Sequence, residues 1–352
     1  MRAAIVGTGF IARVHAATLR QLGVEIVALC GRTREGAEQL AVELGGGTAY
    51  DDLDDLLRAQ QPDVLHICTP NALHAEQALA AFEAGAHVIC EKPLAVSTQE
   101  SVRMVEAAES AGRVGATCYH VRGYPLVEQM RAEVAAGSLG ELRLVHGRYF
   151  CDDALRPGAG WRLRAESSGP SYVVGDLGTH WLDLAEHVAG RLITSVLAEF
   201  RTYDHERTTL EDYADLLLRF EGGASGSVLL SALAAGRKNQ LLFECEGTSA
   251  GLSWDQERPD ALLRRPADGD VQLVVKDPDS NAPSARPLAR FPAGHAEGYG
   301  GAFRNILGNA YRAIAGEAHE PFPTFADGHR GVALLEAAVA SARDGGWVEP
   351  PA

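Results

Sequence analysis

The sequence predicts an α/β domain over residues 1–120 followed by an α+β domain over 121–352. Three observations carry this. Through residue 118, short apolar runs alternate with segments of helical spacing, the rhythm of a doubly wound parallel sheet. After about residue 120, strand-like segments follow one another with only short turns, which marks an antiparallel sheet. The length, 352 residues, is too great for one small core and fits two domains.

The elements follow in order. Residues 2–6 form an apolar strand, 10–22 a helix and 25–30 a second strand. Residues 33–44 have helical spacing. Further strands are expected at 63–68, 86–90 and 114–118, with helices near 71–84 and 98–111 between them. A helix at 125–136 then leads into a long strand at 141–150. The Gly- and Pro-containing stretch 156–170 reads as a loop over a cleft. A helix at 176–188 buries Leu177, Trp181, Leu184 and Val188 on one face. Strands are expected at 193–203, 211–220, 225–233 and 239–246, with a turn at Glu221-Gly222-Gly223. Residues 266–293, rich in Pro, Asp and Ser, read as a surface excursion. Helices near 299–315 and 326–343 follow.

Composition excludes several classes. The formal net charge is −15, which opposes binding to nucleic acid and to anionic membranes. No apolar stretch approaches the ~20 residues of a membrane helix. The N-terminus lacks the apolar region of a signal peptide, so a cytoplasmic protein is expected. The six cysteines contain no CxxC pair and read as buried, reduced thiols.

Gly7-Thr8-Gly9-Phe10-Ile11-Ala12 lies between the first strand and the first helix. Gly7 permits a tight turn, Gly9 lets a pyrophosphate approach the backbone, and Ala12 allows close helix–strand packing. The helix N-terminus offers amides to the phosphates. Flanked this way, the motif predicts a dinucleotide site. An NAD-binding acid would stand near the end of the second strand, where the sequence has Gly31, followed by Arg32, Thr33 and Arg34. The missing acid and the two arginines favour NADP over NAD. An aspartate introduced at Gly31 is expected to reverse that preference.

Basic residues are almost all arginine. The only lysines among 32 basic residues are Lys92, Lys238 and Lys276. Lys92 directly follows the apolar run 86–90. A lysine titrates where an arginine does not, so that position reads as chemical.

Residues 64–74 (VLHICTPNALH), 87–95 (HVICEKPLA), 175–180 (GDLGTH) and 323–328 (PTFADG) together resemble the Gfo/Idh/MocA family of sugar and polyol oxidoreductases. The resemblance implies a Rossmann domain, then a domain with a large open antiparallel sheet. It also implies NAD(P)-dependent hydride transfer at a secondary alcohol or ketone of a sugar, polyol or sugar derivative. It maps the catalytic set onto Lys92, Asp176 and His180, and implies a cis Lys92–Pro93 bond. It places Thr69, Pro70, Asn71 and His74 beside the cofactor ribose and nicotinamide, with Glu91 and Lys92 also at the cofactor. The chain departs from the family pattern at Gly31. The segment Tyr119–Arg122 falls where relatives vary, and Tyr119 and Arg122 are expected substrate contacts.

Alcohol oxidation needs a base, a positive group beside the oxygen and a held carbinol carbon. Lys92, just past a strand end, supplies the cation. Asp176 and His180, four residues apart, share a helix face. His180 reads as the acid/base and Asp176 as the group orienting substrate or histidine. Asp183 and His187 read as a polar helix face, and no metal is expected. Trp161 and Arg162 are candidate sugar contacts. Two other functions use the same cofactor site: a hydrolase or lyase working through transient oxidation by bound NAD, and a non-catalytic dinucleotide sensor. An apolar outer sheet face, including residues 227–233, predicts a homodimer or homotetramer.

Overall fold

In the first unit the apolar runs become a six-stranded parallel sheet. Its strands are β1 (Arg2–Val6), β2 (Glu25–Cys30), β3 (Thr48–Tyr50), β4 (Val64–Ile67), β5 (His87–Cys90) and β6 (Gly115–Thr117), in the order β3-β2-β1-β4-β5-β6. The intervening helices are α1 (Phe10–Gln21), α2 (Arg34–Leu44), α3 (Leu53–Gln60), α4 (His74–Glu83) and α5 (Thr98–Ala111). Strand order reverses between β1 and β4, the crevice where such sheets bind ligands. The computed structural model describes residues 1–156 and 160–351. Part of the expected cleft loop, 157–159, therefore lies outside the described residues.

β3 and α3 add to the expected elements. Three residues of strand carry too little pattern to read. α3 has a cap, since Asp52 accepts from the Asp55 amide at 2.9 Å. Only Leu56 and Leu57 of its residues are buried, so its apolar stripe is brief.

Residues 303–332 also belong to this unit, and the other unit comprises 120–302 and 333–352. The expected division at residue 120 does not include that return. Its physical basis is an edge contact: the Thr117 amide donates to the Pro323 carbonyl at 3.0 Å. Gly115 lies so close to the Phe325 ring that any side chain there would collide with it.

The second unit contains α6 (Pro125–Ala135), β7 (Leu142–Phe150), the short α7 (Ala165–Ser168) and α8 (Thr179–Ala189). Seven more strands follow: β8 (Ile193–Arg201), β9 (Tyr213–Phe220), β10 (Ser225–Ser231), β11 (Gln240–Gly247), β12 (Ala250–Asp255), β13 (Ala261–Pro266) and β14 (Gln272–Val275). Helices α9 (Tyr299–Ile314) and α10 (Phe325–Asp344) each contain a unit division. The sheet order is β14-β13-β12-β11-β7-β10-β9-β8, with β7 and β10 the single parallel pair.

Three strands at one edge, β12 to β14, lie beyond the expected set. β14 falls within the predicted surface excursion, which is thus partly sheet. Inner positions such as Val145, Tyr149, Val228, Leu230, Phe243 and Leu252 join one core with Trp181, Leu184 and Leu335. The outer positions Leu144, Leu217, Leu229, Leu263, Leu273 and Val275 remain exposed. Of the segment 227–233, Leu229 points outward while Val228 and Leu230 point into the core, as period-two alternation requires.

Candidate active site

The two units hold separate groups of the expected residues. In the first, the chain leaves β1 at Gly7 with φ +108°, where a Cβ would collide with the Cys68 carbonyl beyond β4. Only glycine permits that approach. Gly9 is the N-cap of α1 with no side-chain cap, and open space surrounds the place a Cβ would take. The first amides of α1 thus remain available for an anion. Phe10 is 72% exposed beside them, Ile11 is half-buried, and Ala12 is buried. A glycine cradle with free helix amides fits a dinucleotide pyrophosphate.

At the end of β2, Gly31 is buried and closely surrounded. A Cβ there would stand 2.9 Å from the Thr33 carbonyl oxygen and 3.2 Å from the Ala37 amide nitrogen. An aspartate does not fit without moving backbone, so the expected swap at Gly31 is a poor probe of cofactor choice. Thr33 caps α2 by accepting from the Gly36 amide at 3.2 Å. Arg34 lies 3.4 Å from Glu38, which leaves exposed Arg32 as the better phosphate candidate. Burial, then Asp52 and Asp51, pushes the Cys30 thiol up to about 11, so two carboxylates also act on this strand end.

The turn after β4 is braced. Thr69 Oγ1 donates to Gln77 at 2.7 Å, and Pro70 leads into a single helical turn, Asn71–Leu73. Asn71 is 6% exposed. His74, expected at the cofactor, is fully buried. Its Nδ1 lies 2.9 Å from the Pro93 carbonyl and its Nε2 3.0 Å from that of Thr69. Burial first holds its pKa below the ordinary histidine value. His74 therefore ties the turn after β4 to the turn after β5. Lys92 stands directly past β5, partly buried, with a cis bond to Pro93 as expected. Its amide donates to Glu91 Oε2 at 3.3 Å. Tyr119, expected to touch substrate, is fully buried, its hydroxyl packed at Gly331.

In the second unit, Asp176 lies in a wide π turn, Val174–Gly178, that leads into α8. The expected single helix from 176 thus begins as a looser coil. Arg162 Nε lies 3.2 Å from Asp176 Oδ2, and the Arg162 guanidinium sits 4.7 Å from the Trp161 ring centroid. Three expected residues therefore form one assembly. Asp176 is the first cause holding the Arg162 pKa above its ordinary value. Burial, then Asp176, raises Asp153 and Tyr172. Burial also drives Cys151 up to about 12. The site is a local anionic focus with the Arg162 guanidinium against Asp176 and Arg156 also acting on Asp153.

His180, 5% exposed, packs edge-on to His120 with ring centroids 4.8 Å apart. His120 meets Tyr299 at 4.7 Å, and Tyr149 lies 6.4 Å from His180. Tyr149 Oη donates to Asn239 at 2.6 Å. Arg122 makes two bonds to Asp183, at 2.9 and 2.5 Å. Two of its donors are thus engaged within the protein, which weakens its expected part in substrate binding. Asp183 and His187 are not a solvated face. Asp183 is buried in that pair, and burial first lowers His187 to about 4.

A family model described as an oxidoreductase family with an NAD-binding Rossmann fold matches residues 1–120. A second, the GFO/IDH/MocA C-terminal domain, matches residues 127–253. The chain belongs to the Gfo/Idh/MocA family. It is 30% identical over 352 residues to levoglucosan dehydrogenase of Pseudarthrobacter phenanthrenivorans, covering 90% of this chain and 87% of that one. It is 37% identical over 196 residues to D-glucoside 3-dehydrogenase of Escherichia coli, 54% of each chain. The crystal structure of an inositol dehydrogenase homolog from Azotobacter vinelandii with NAD+ superposes with a TM-score of 0.92. It is 32% identical and covers 99% of this chain and 97% of that one.

Several neighbours of the Gfo/Idh/MocA residues are not legible in the sequence. Tyr149, Asp153, Tyr172, Tyr299 and Glu211 come from segments far apart in the chain. Tyr149 alone carries a signal, as an aromatic at an inward position of a long alternating strand. Among the described residues, a cluster of metal-ligand types occurs in the first unit, at His15, Glu91 and Cys118.

Proposed function

We propose that this protein is an NAD(P)-dependent dehydrogenase of a sugar, polyol or sugar derivative. The observation that carries this is Asp176, held by Arg162 over Trp161 one turn before His180, in a family member that keeps Lys92 past β5. The dinucleotide, when bound, supplies the hydride acceptor for the carbinol carbon. Lys92 steadies the negative charge that develops on the substrate oxygen. His180 takes the hydroxyl proton at a ring nitrogen. Asp176 and Arg162 orient the hydroxyls of the substrate, and Trp161 offers a face to sugar C–H groups. Asn71 and the amides at Gly9–Ile11 hold the cofactor.

The test is a panel of sugars and polyols with NAD+ and NADP+, followed at 340 nm. Turnover without absorbance change would favour a hydrolase or lyase that returns the hydride. Dinucleotide binding without turnover would favour a sensor.

NADP is the preferred cofactor in this reading, supported by the missing acid at Gly31 and by exposed Arg32. NAD is favoured instead by Asp51 and Asp52 near the strand end, and the structural relative named above was crystallised with NAD+. Dissociation constants for both, in the wild type and in Arg32→Ala, separate them. Wild-type preference for NADP that Arg32→Ala abolishes is the expected result.

The exposed leucines of the outer sheet face support a homodimer or homotetramer. Among the described residues no helix is long and apolar enough to cross a membrane. The six free, buried thiols support a reducing, cytoplasmic setting.

A further inference from the structure

Three buried side chains of the nucleotide-binding unit take no part in the chemistry proposed so far: His15 on α1, His66 on β4 and Tyr311 on α9. Their exposures are 0%, 0% and 6%. Tyr311 Oη lies 2.8 Å from His66 Nε2. His66 Nδ1 lies 2.8 Å from His15 Nδ1. His15 Nε2 lies 3.0 Å from Glu91 Oε1. The other Glu91 oxygen accepts the Lys92 amide at 3.3 Å. One continuous chain of hydrogen bonds therefore runs from helix α9 through two rings to the residue before Lys92.

For neutral rings the direction of this chain is fixed by donor arithmetic. A carboxylate only accepts, so His15 must carry its proton on Nε2. Its Nδ1 is then an acceptor, and His66 must carry its proton on Nδ1. His66 Nε2 is left to accept the tyrosine O–H. Burial, then the neighbouring His15, holds the His66 pKa well below the ordinary value, which agrees with a neutral ring. The Phe303 ring packs on His15 at 5.6 Å, and Cys118 Sγ stands 3.6 Å from His15 Nε2. The central ring of the chain, His15, is thus enclosed by side chains.

We propose that Tyr311, His66 and His15 are positioning residues for Lys92, a one-way hydrogen-bond relay that fixes the Glu91 carboxylate against the Lys92 backbone. The proposal rests on the reading of Lys92 as a catalytic residue. A catalytic group displaced by about 1 Å can lose about 10²-fold in rate. Loosening Glu91 should therefore lower turnover while leaving the dinucleotide cradle at Gly7–Ala12 untouched.

The test has two parts. In 15N-histidine-labelled protein, long-range 1H–15N correlation spectra report which nitrogen of each ring bears the proton. His15 is expected as the Nε2–H form and His66 as the Nδ1–H form. The reverse order at His66, or a doubly protonated His15, overturns the relay. In the kinetic part, His66→Phe keeps an aromatic ring but breaks two links, and kcat should fall about 10–100-fold with dinucleotide Kd unchanged. Tyr311→Phe removes only the distal hydroxyl, so kcat should fall a few-fold while the His66 Nε2 resonance moves. If His66→Phe does not fold, Tyr311→Phe decides. Wild-type kcat in the folded variants overturns the positioning role. The tautomers are read in the resting protein, so they stand apart from any failure to find a sugar substrate.

Discussion

Glu211 gives the most quantitative test of the second unit. Its carboxyl is 4% exposed. It accepts from Ser171 Oγ at 2.5 Å and from the Val174 amide at 3.2 Å, and Ser171 Oγ in turn accepts the Gly175 amide at 3.2 Å. These bonds tie down the start of the π turn that carries Asp176. Burial raises the Glu211 pKa from 4.5 to about 7, against the lowering effect of its donors. The sign follows directly. The folded state binds this proton more tightly than the unfolded chain, so the Glu211 contribution to stability is fully present below about pH 4.5 and is lost as pH rises to about 7. Raising a pKa by one is worth about 1.4 kcal/mol, so the total loss is about 3 kcal/mol. Glu211→Gln keeps an acceptor oxygen but carries no titrating proton. Many other carboxylates titrate in this acidic chain, so the informative quantity is the difference between the two proteins. The melting temperature of Glu211→Gln minus that of wild type should rise by about 6–12 °C between pH 4.5 and 7.5. Parallel curves across that window would refute the assignment of a neutral, buried carboxyl.

Lys92→Met should abolish turnover with dinucleotide affinity nearly intact, and Lys92→Arg should also be poor. Near-normal kcat in Lys92→Met, from single-turnover and steady-state rates, would sink that role. His180→Ala should lower kcat by about 10²–10⁴ and remove the ascending limb of the pH profile; a retained limb points to another base. Lys276 is 1% exposed, with its ammonium on the Phe291 and His295 carbonyls and on Glu297 at 2.9 Å. Lys276→Met strands that buried carboxylate and should cost about 3–5 kcal/mol, measured by thermal unfolding, with new proteolytic cleavage at 290–297. Leu217→Glu with Leu229→Glu should give a monomeric mass by light scattering, and an unchanged mass would move the interface off this sheet face.

The legible parts of the fold are those whose pattern is local. RAAIV and HVIC declare buried strands by continuous apolarity, and the glycines after β1 declare the turn. β13, with the sequence ALLRRP, hides its alternation behind two arginines and a proline. β14 offers only QLVV. Such edge strands form because a neighbour already presents a ladder, which no short window records. At the site, the motif residues are legible because their chemistry is tied to fixed spacing. Glu211 and His120 are not, since each matters only through a partner that folding supplies. His74 is legible only by its place beside a motif; that its ring nitrogens face the Pro93 and Thr69 carbonyls is supplied by folding.

The division of the chain has a consequence for biosynthesis. Strand β6 has its outer edge covered by the segment at Pro323, and His66 waits for Tyr311. Ribosomes add about 5–20 residues per second. The stretch from residue 119 to residue 303 therefore takes about 10–40 s to emerge, during which the nucleotide-binding sheet presents an open edge and His66, bonded to His15, still lacks Tyr311. Over the same interval β7 has no partner until β10 and β11 appear. Open edges of this kind are where nascent chains mispair. The late helices thus act as latches, closing each unit only after most of the polypeptide is already outside the ribosome.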